Sequence, residues 1–149
     1  MRIAINGGTG LIGQALAHSF SKQGHDVYIF TRSPKPSEGN IHYLSFNDSQ
    51  KPTAIDVALN LAGEPLNRKR WTTKQKTVIV DSRLRATEAM VNYIHSLSKR
   101  PSLFINASAI GVYGTSDSAT FTEQTTDYGA DFLAKTVRAW EAAAHPIEQ

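Results

Sequence analysis

Gly7, Gly8, Gly10 and Gly13 are the residues of this chain whose spacing offers the clearest chemistry. In Asn6-Gly7-Gly8-Thr9-Gly10-Leu11-Ile12-Gly13 they satisfy two patterns at once: G-x-G-x-x-G through Gly8, Gly10 and Gly13, and G-x-x-G-x-x-G through Gly7, Gly10 and Gly13. A turn without β-carbons lets an anion approach backbone amides, and a helix that starts there adds N–H groups with no acceptor and the positive end of its dipole. That combination binds a dinucleotide pyrophosphate. The alternative is a glycine-rich turn that holds nothing.

The chemistry requires a strand before the turn and a helix after it. Ile3-Ala4-Ile5 supplies the apolar run, and Ile12, Ala15, Leu16 and Phe20 recur at helical spacing. The expectation is a strand over 2–6 and a helix over 10–23, stopped by Gly24-His25. Further strands are expected at 27–31, 41–46, 57–61 and 103–107. Residues 67–76 are polar and partly helical. A long helix runs from Asp81 to Ser98 with Leu84, Thr87, Val91, Ile94 and Leu97 on one stripe, and a last helix spans 131–144 with Leu133, Val137, Trp140 and Ala144 inward. Strand–helix alternation with short apolar strands predicts an α/β fold: a doubly wound parallel sheet, three layers α/β/α, of the Rossmann type. Ligands of such sheets bind beyond the carboxyl ends of the strands, where strand order reverses. Four segments sit there: the glycine turn, Thr31-Arg32-Ser33, Leu61-Ala62-Gly63 and Ala107-Ser108-Ala109.

The second segment bears on which dinucleotide. NAD-binding sheets place an acid about 20 residues after the glycines, on the ribose 2′-OH. Here Thr31-Arg32-Ser33 carries no carboxylate, and an arginine with a serine hydroxyl suits a 2′-phosphate. Arg32 therefore points to NADP(H) over NAD; a solvated strand-end arginine is the bland alternative. An ATP module is disfavoured because no Gly-Lys-Ser/Thr follows the glycines.

Composition narrows the classes further. At 149 residues the chain is sized for one domain. The net charge of +3 is scattered apart from Arg68-Lys69-Arg70, so nucleic acid is not indicated. The absence of cysteine excludes disulfides, thiolate catalysis and cysteine-ligated metals. The five histidines show no metal-ligand spacing, so no metal is expected. The first residues turn polar too soon for a signal peptide, and no apolar run approaches the ~20 residues of a membrane helix. A soluble, cytoplasmic protein with no membrane partner is the expectation.

Taken together, the glycine turn, Thr31-Arg32-Ser33, Asn60-Leu61-Ala62-Gly63-Glu64-Pro65, Arg70-Trp71-Thr72, Ser82-Arg83 with Thr87, Ser108-Ala109-Ile110-Gly111-Val112-Tyr113-Gly114, Thr122-Glu123, and Asp131-Phe132-Leu133-Ala134 with Trp140-Glu141 resemble the extended short-chain dehydrogenase/reductases. This is the NAD(P)-dependent nucleoside-diphosphate-sugar epimerase/dehydratase superfamily, and within it the chain is similar to a branch labelled "epimerase family protein". The resemblance implies that Gly7, Gly10 and Gly13 cradle the pyrophosphate and that Thr31 and Arg32 hold the adenosine-ribose phosphate. It implies that Leu61, Ala62 and Gly63 wall the cofactor and that Arg83 reaches it from the other side. Ser108 would hydrogen-bond a substrate oxygen. It further implies a small-molecule substrate such as a nucleotide sugar, and a homodimer through the helices after the fourth and fifth strands.

One departure affects the chemistry. Superfamily enzymes pass the proton through Tyr-x-x-x-Lys on the helix after the fifth strand, and no such pair occurs in this chain. That helix reads Asp131-Phe132-Leu133-Ala134-Lys135, with Asp131 where the tyrosine should stand. Tyr113, Tyr128 and Glu123 are the remaining proton-handling candidates, Tyr113 being placed with Ser108 as catalytic, while packing is the competing role for its ring. Superfamily members also run to about twice this length, so the chain is expected to be the amino-terminal, cofactor-binding half, with the substrate lobe outside it. Two functions fit: an NADP-dependent epimerase or oxidoreductase domain transferring hydride, or a catalytically silent NADP-binding sensor or regulatory protein.

Overall fold

The computed structural model describes residues 1–148. Five strands, β1 (Arg2–Asn6), β2 (Asp26–Phe30), β3 (Ile41–Leu44), β4 (Val57–Asn60) and β5 (Leu103–Asn106), form one sheet in the order β3-β2-β1-β4-β5. Every pairing is parallel. Strand order reverses between β1 and β4, so the crevice of this doubly wound sheet opens beside the glycine turn, as expected.

Three helices cover the sheet: α1 (Leu11–Lys22) on one face, α2 (Thr73–His95) and α3 (Phe132–Ala142) on the other. The alternation of side chains along each strand divides the core in two. Ile3, Ile5, Val27, Ile29 and Leu59 pack under Ala17 and Leu16 of α1. Ala4, Phe30 and Ala58 face Met90, Tyr93 and Ile94 of α2. β1 lies in the middle of the sheet and buries four of its five residues, which is why its run of apolar residues shows little alternation.

The long helix begins eight residues before the expected Asp81. Thr72 caps it by accepting the Gln75 amide at 3.2 Å, and Gln75 and Ile79 extend the buried stripe toward the amino end of the helix. β5 is an edge. Its Leu103 and Ile105, on the face that α1 covers elsewhere, remain 49% and 44% exposed.

Candidate functional site

The carboxyl ends of β1, β2 and β4 open on a groove of about 900 Å³. Gly7, Thr9 and Gly10 form one side, Thr31, Arg32 and Ser33 follow from β2, and Leu61, Ala62 and Gly63 from β4. The opposite wall is the outer turn of α2, with Val78, Ser82 and Ala86, and two cations, Arg68 and Arg85, reach its rim. Three of the four expected segments thus converge on one groove.

Two glycines make the turn possible. Gly7 has φ +82°, and a β-carbon there would lie 2.8 Å from the Ala62 amide nitrogen and the Leu61 carbonyl carbon. The turns after β1 and β4 therefore touch through bare backbone. A β-carbon on Gly13 would lie 2.6 Å from the Gly8 α-carbon, so the first turn of α1 sits directly on the loop. Gly10 is the N-cap of α1, has no side chain to close it, and no acid occupies the first turn. The amides of that turn are left for a ligand or water. Leu11 and Ile12, at the same end, are exposed.

Arg32 is exposed and, among the described residues, unpaired: the ion pairs are Lys35–Glu38 and a long Arg85–Asp81 contact. Beside it Thr31 Oγ1 accepts the Ser33 amide at 3.2 Å, which holds the Ser33 backbone back toward the sheet. The acids of the groove, Glu64 and Asp81, belong to the β4–α2 side. The β2 end is without negative charge, so no carboxylate there would repel an anion.

Beneath the groove lies a polar network. Asn6, Asn60 and Asn106 are register partners at the ends of β1, β4 and β5. Asn6 Nδ2 donates to Asn60 Oδ1 at 3.1 Å and to the Ala86 carbonyl of α2 at 3.0 Å. Asn60 Nδ2 donates to Thr87 Oγ1 at 2.8 Å and to Asn106 Oδ1 at 2.7 Å. Trp140 Nε1 donates to the same Thr87 hydroxyl at 3.1 Å. Asn60 and Thr87 are fully buried, so these bonds are what makes their burial affordable. The signal was present in the sequence: three strands each end Ile-Asn or Leu-Asn. Their common height on the sheet was not.

Arg83 is placed differently from the expected reach toward a cofactor. Its Nη1 donates to the Glu64 and Ile79 carbonyls, at 3.1 and 3.0 Å, and its guanidinium lies 5.2 Å from the centre of the Trp140 ring. It packs against Gly63 and ties the β4–α2 loop to α2. Burial pulls its pKa below the usual arginine value. Its donors serve backbone carbonyls, a role that charge spacing along a helix does not reveal.

Ser108 and Tyr113 lie outside the groove lining. Tyr113 sits at the end of a 3₁₀ turn, Ile110–Tyr113, with its ring stacked on Phe121 at 5.3 Å and tilted against Tyr128 at 6.5 Å. Arg138 in turn covers the Tyr128 ring at 5.3 Å. The tyrosines are members of one aromatic cluster, and Glu123 is exposed beside it. Ser108 Oγ donates to Glu141 Oε1 of α3 at 2.5 Å. Asp131, where a tyrosine would stand, is the N-cap of α3 and accepts the Ala134 amide at 2.8 Å. No described group of histidines and acids could hold a metal ion, and no described helix is long and apolar enough to cross a membrane.

The family model for the NAD dependent epimerase/dehydratase family matches residues 3–144. Among curated proteins, the epimerase family protein YfhF of Bacillus subtilis is 40% identical over 154 residues, covering 99% of this chain and 50% of the relative. A Staphylococcus haemolyticus epimerase family protein is 38% identical, over 97% of this chain and 49% of its own length. The chain therefore spans about half the length of the curated relatives it matches. Among solved structures, the human epimerase family protein SDR39U1, crystallised with NADPH, superposes with a TM-score of 0.85 at 31% identity, over 97% of this chain and 48% of that one. A nucleoside-diphosphate sugar epimerase from Corynebacterium glutamicum gives 0.75 at 29% identity, over 99% and 31%. With its Rossmann-like sheet and this match along nearly its whole length, the chain belongs to the NAD-dependent epimerase/dehydratase family.

Proposed function

We propose that this chain is the NADP(H)-binding half of an epimerase or oxidoreductase that acts on a small molecule of the nucleotide-sugar class. The single observation that carries the reading is the contact of Gly7 with Ala62, which brings two bare backbone turns and the uncapped start of α1 to one groove. Gly7, Gly10 and the amides of the α1 first turn would hold the pyrophosphate. Leu61, Ala62 and Gly63 would form the wall beside it. Thr31, Arg32 and Ser33 would take the 2′-phosphate, a preference supported by the missing acid at the end of β2. The human relative's NADPH agrees with that choice. Bound, the nicotinamide would supply a reversible hydride acceptor for a substrate carbon. The substrate-binding lobe, and with it the identity of the sugar, would lie outside these 149 residues. The exposed faces of α2 and α3 would form a homodimer contact.

A second reading, a silent NADP-binding sensor, is favoured by one feature. Position 131 carries a helix cap instead of a phenol, and Lys135 is exposed with no tyrosine before it.

Calorimetry with NADPH and NADH on the wild type and Arg32→Asp tests the binding reading. NADPH affinity should fall about 10- to 100-fold, the worth of a charge-assisted phosphate contact, and NADH affinity far less. Equal losses for both would remove the 2′-phosphate assignment. No uptake of either nucleotide by the wild type would remove the reading altogether.

A further inference from the structure

Ser108 and Glu141 form a pair that, among the described residues, no other side chain shares. Ser108 leaves β5 two residues after Asn106, and its hydroxyl donates to the Glu141 carboxylate at 2.5 Å. No described cation pairs with Glu141. Both partners are held by the same buried core. On one side Asn60 accepts the Ala107 amide through its carbonyl at 2.9 Å and bonds Asn106 through its side chain. On the other, Trp140, the residue before Glu141, is anchored to Thr87, which Asn60 also bonds.

The position of the acid is itself informative. Glu141 lies one residue from the end of α3, near the negative end of the helix dipole, where a carboxylate weakens a helix. Among the described residues it caps no amide and pairs with no base, so helix stability does not account for it. A carboxylate bonded to a serine hydroxyl in this way draws the hydroxyl proton and raises the basicity of the oxygen. The in-register ends of β1, β4 and β5 put the Ser108 loop at the same edge of the sheet as the glycine turn, two strand spacings or about 10 Å away. Arg32 lies one strand to the opposite side of β1. A dinucleotide entering at Arg32 and crossing the glycine turn would run toward this pair.

Resting on the reading that the groove holds NADP(H), we infer that Ser108 and Glu141 are the proton relay of this chain, in place of Tyr-x-x-x-Lys. Ser108 Oγ accepts the proton of a substrate hydroxyl while its own proton passes to the Glu141 carboxylate. The substrate O–H bond breaks and its C–O bond becomes a carbonyl. A bound oxidised dinucleotide would supply the acceptor for the hydride of the same carbon, so two electrons and one proton are accounted for. Ser108 touches the reacting oxygen, and Glu141 acts through it. The reverse step returns the proton by the same path.

The test uses the full-length protein and the variants Ser108→Ala, Ser108→Thr and Glu141→Gln. With ¹³C-labelled glutamate, the carboxylate infrared band lost in Glu141→Gln should shift in Ser108→Ala and return in Ser108→Thr, with no nucleotide present. NADPH affinity should stay within about threefold of wild type in all three. NADP⁺ reduction with a panel of UDP-hexoses and secondary alcohols should lose at least about 100-fold in kcat in Ser108→Ala and Glu141→Gln, with KM little changed, while Ser108→Thr recovers at least about a tenth. An unshifted band, full turnover in Glu141→Gln, or a wild type that binds NADPH but reduces NADP⁺ with nothing in the panel would each overturn the relay. A wild type that does not bind NADPH overturns the cofactor reading instead, and the infrared band then judges the pair alone.

Discussion

Gly7 lies so close to Ala62 that a β-carbon on the glycine would stand 2.8 Å from the alanine amide nitrogen. The glycine turn is thus half of a two-sided device, since the loop after β4 determines how near the turn after β1 can come. A β-carbon cannot be relieved there by a rotamer change, because both neighbours are backbone.

Gly7→Ala should therefore fail twice. It places a side chain at φ +82° and pushes apart two loops, at a cost of about 1–3 kcal/mol. Thermal unfolding should show the loss. Calorimetry on the folded remainder should show little NADPH uptake. A variant of wild-type stability and affinity would mean that the turn can move aside freely.

Asn60→Leu attacks the network below. It takes the donor from Asn106 Oδ1, removes one of the two acceptors of Asn6 Nδ2 and leaves the Thr87 hydroxyl with one donor fewer, Thr87 being fully buried. About 3 kcal/mol of stability should be lost. Urea unfolding measures it, and a change below about 1 kcal/mol would show that the ladder is not a stabilising unit.

Arg83→Met separates a scaffold role from a ligand role. Loss of two carbonyl bonds and the contact with the Trp140 ring should cost about 1–2 kcal/mol. NADPH affinity should stay within about threefold, about 0.65 kcal/mol. A selective loss of affinity at unchanged melting temperature would restore Arg83 to the cofactor.

Asp56 gives the fold an acid-sensitive fastening. Its Oδ2 accepts the Arg2 amide at 2.7 Å, and that bond, ahead of the charge of Arg2, holds its pKa below the ordinary 3.8. A depressed folded value means stability that is fully present above 3.8 and lost as pH falls through the lower value. Asp56→Asn should remove this component, so its stability and that of the wild type should converge between about pH 5 and pH 2. A constant gap across that range would assign the acid sensitivity elsewhere.

Much of this architecture could be read from residue order. The pattern at 2–6 predicts β1 to the residue, and the other strands are displaced by one or two positions at their ends, where side chains of mixed polarity give no boundary. The start of α2 was hidden because residues 67–76 are polar. Thr72 and Gln75 do stand at the spacing of a capping box, but the helix uses only half of it: Thr72 Oγ1 accepts the Gln75 amide, while the Thr72 amide bonds the Arg70 carbonyl. Arg83 and Tyr113 illustrate the converse. The resemblance implied a cofactor contact for Arg83, and for Tyr113 a pocket role competed with packing; the guanidinium bonds carbonyls and the phenol ring stacks on Phe121.

By itself the sequence determined the alternation of elements, the glycine turn and the acid-free end of β2 with its Arg32, because these depend on residues near one another along the chain. Tertiary structure alone decided that Asn6, Asn60 and Asn106 share one level of the sheet, that Gly7 meets Ala62, and that Ser108 meets Glu141 across 33 residues. Those contacts follow from parallel register and from how α3 packs on α2, and neither leaves a local signature, since each is the product of crossovers that bring distant segments to the same edge.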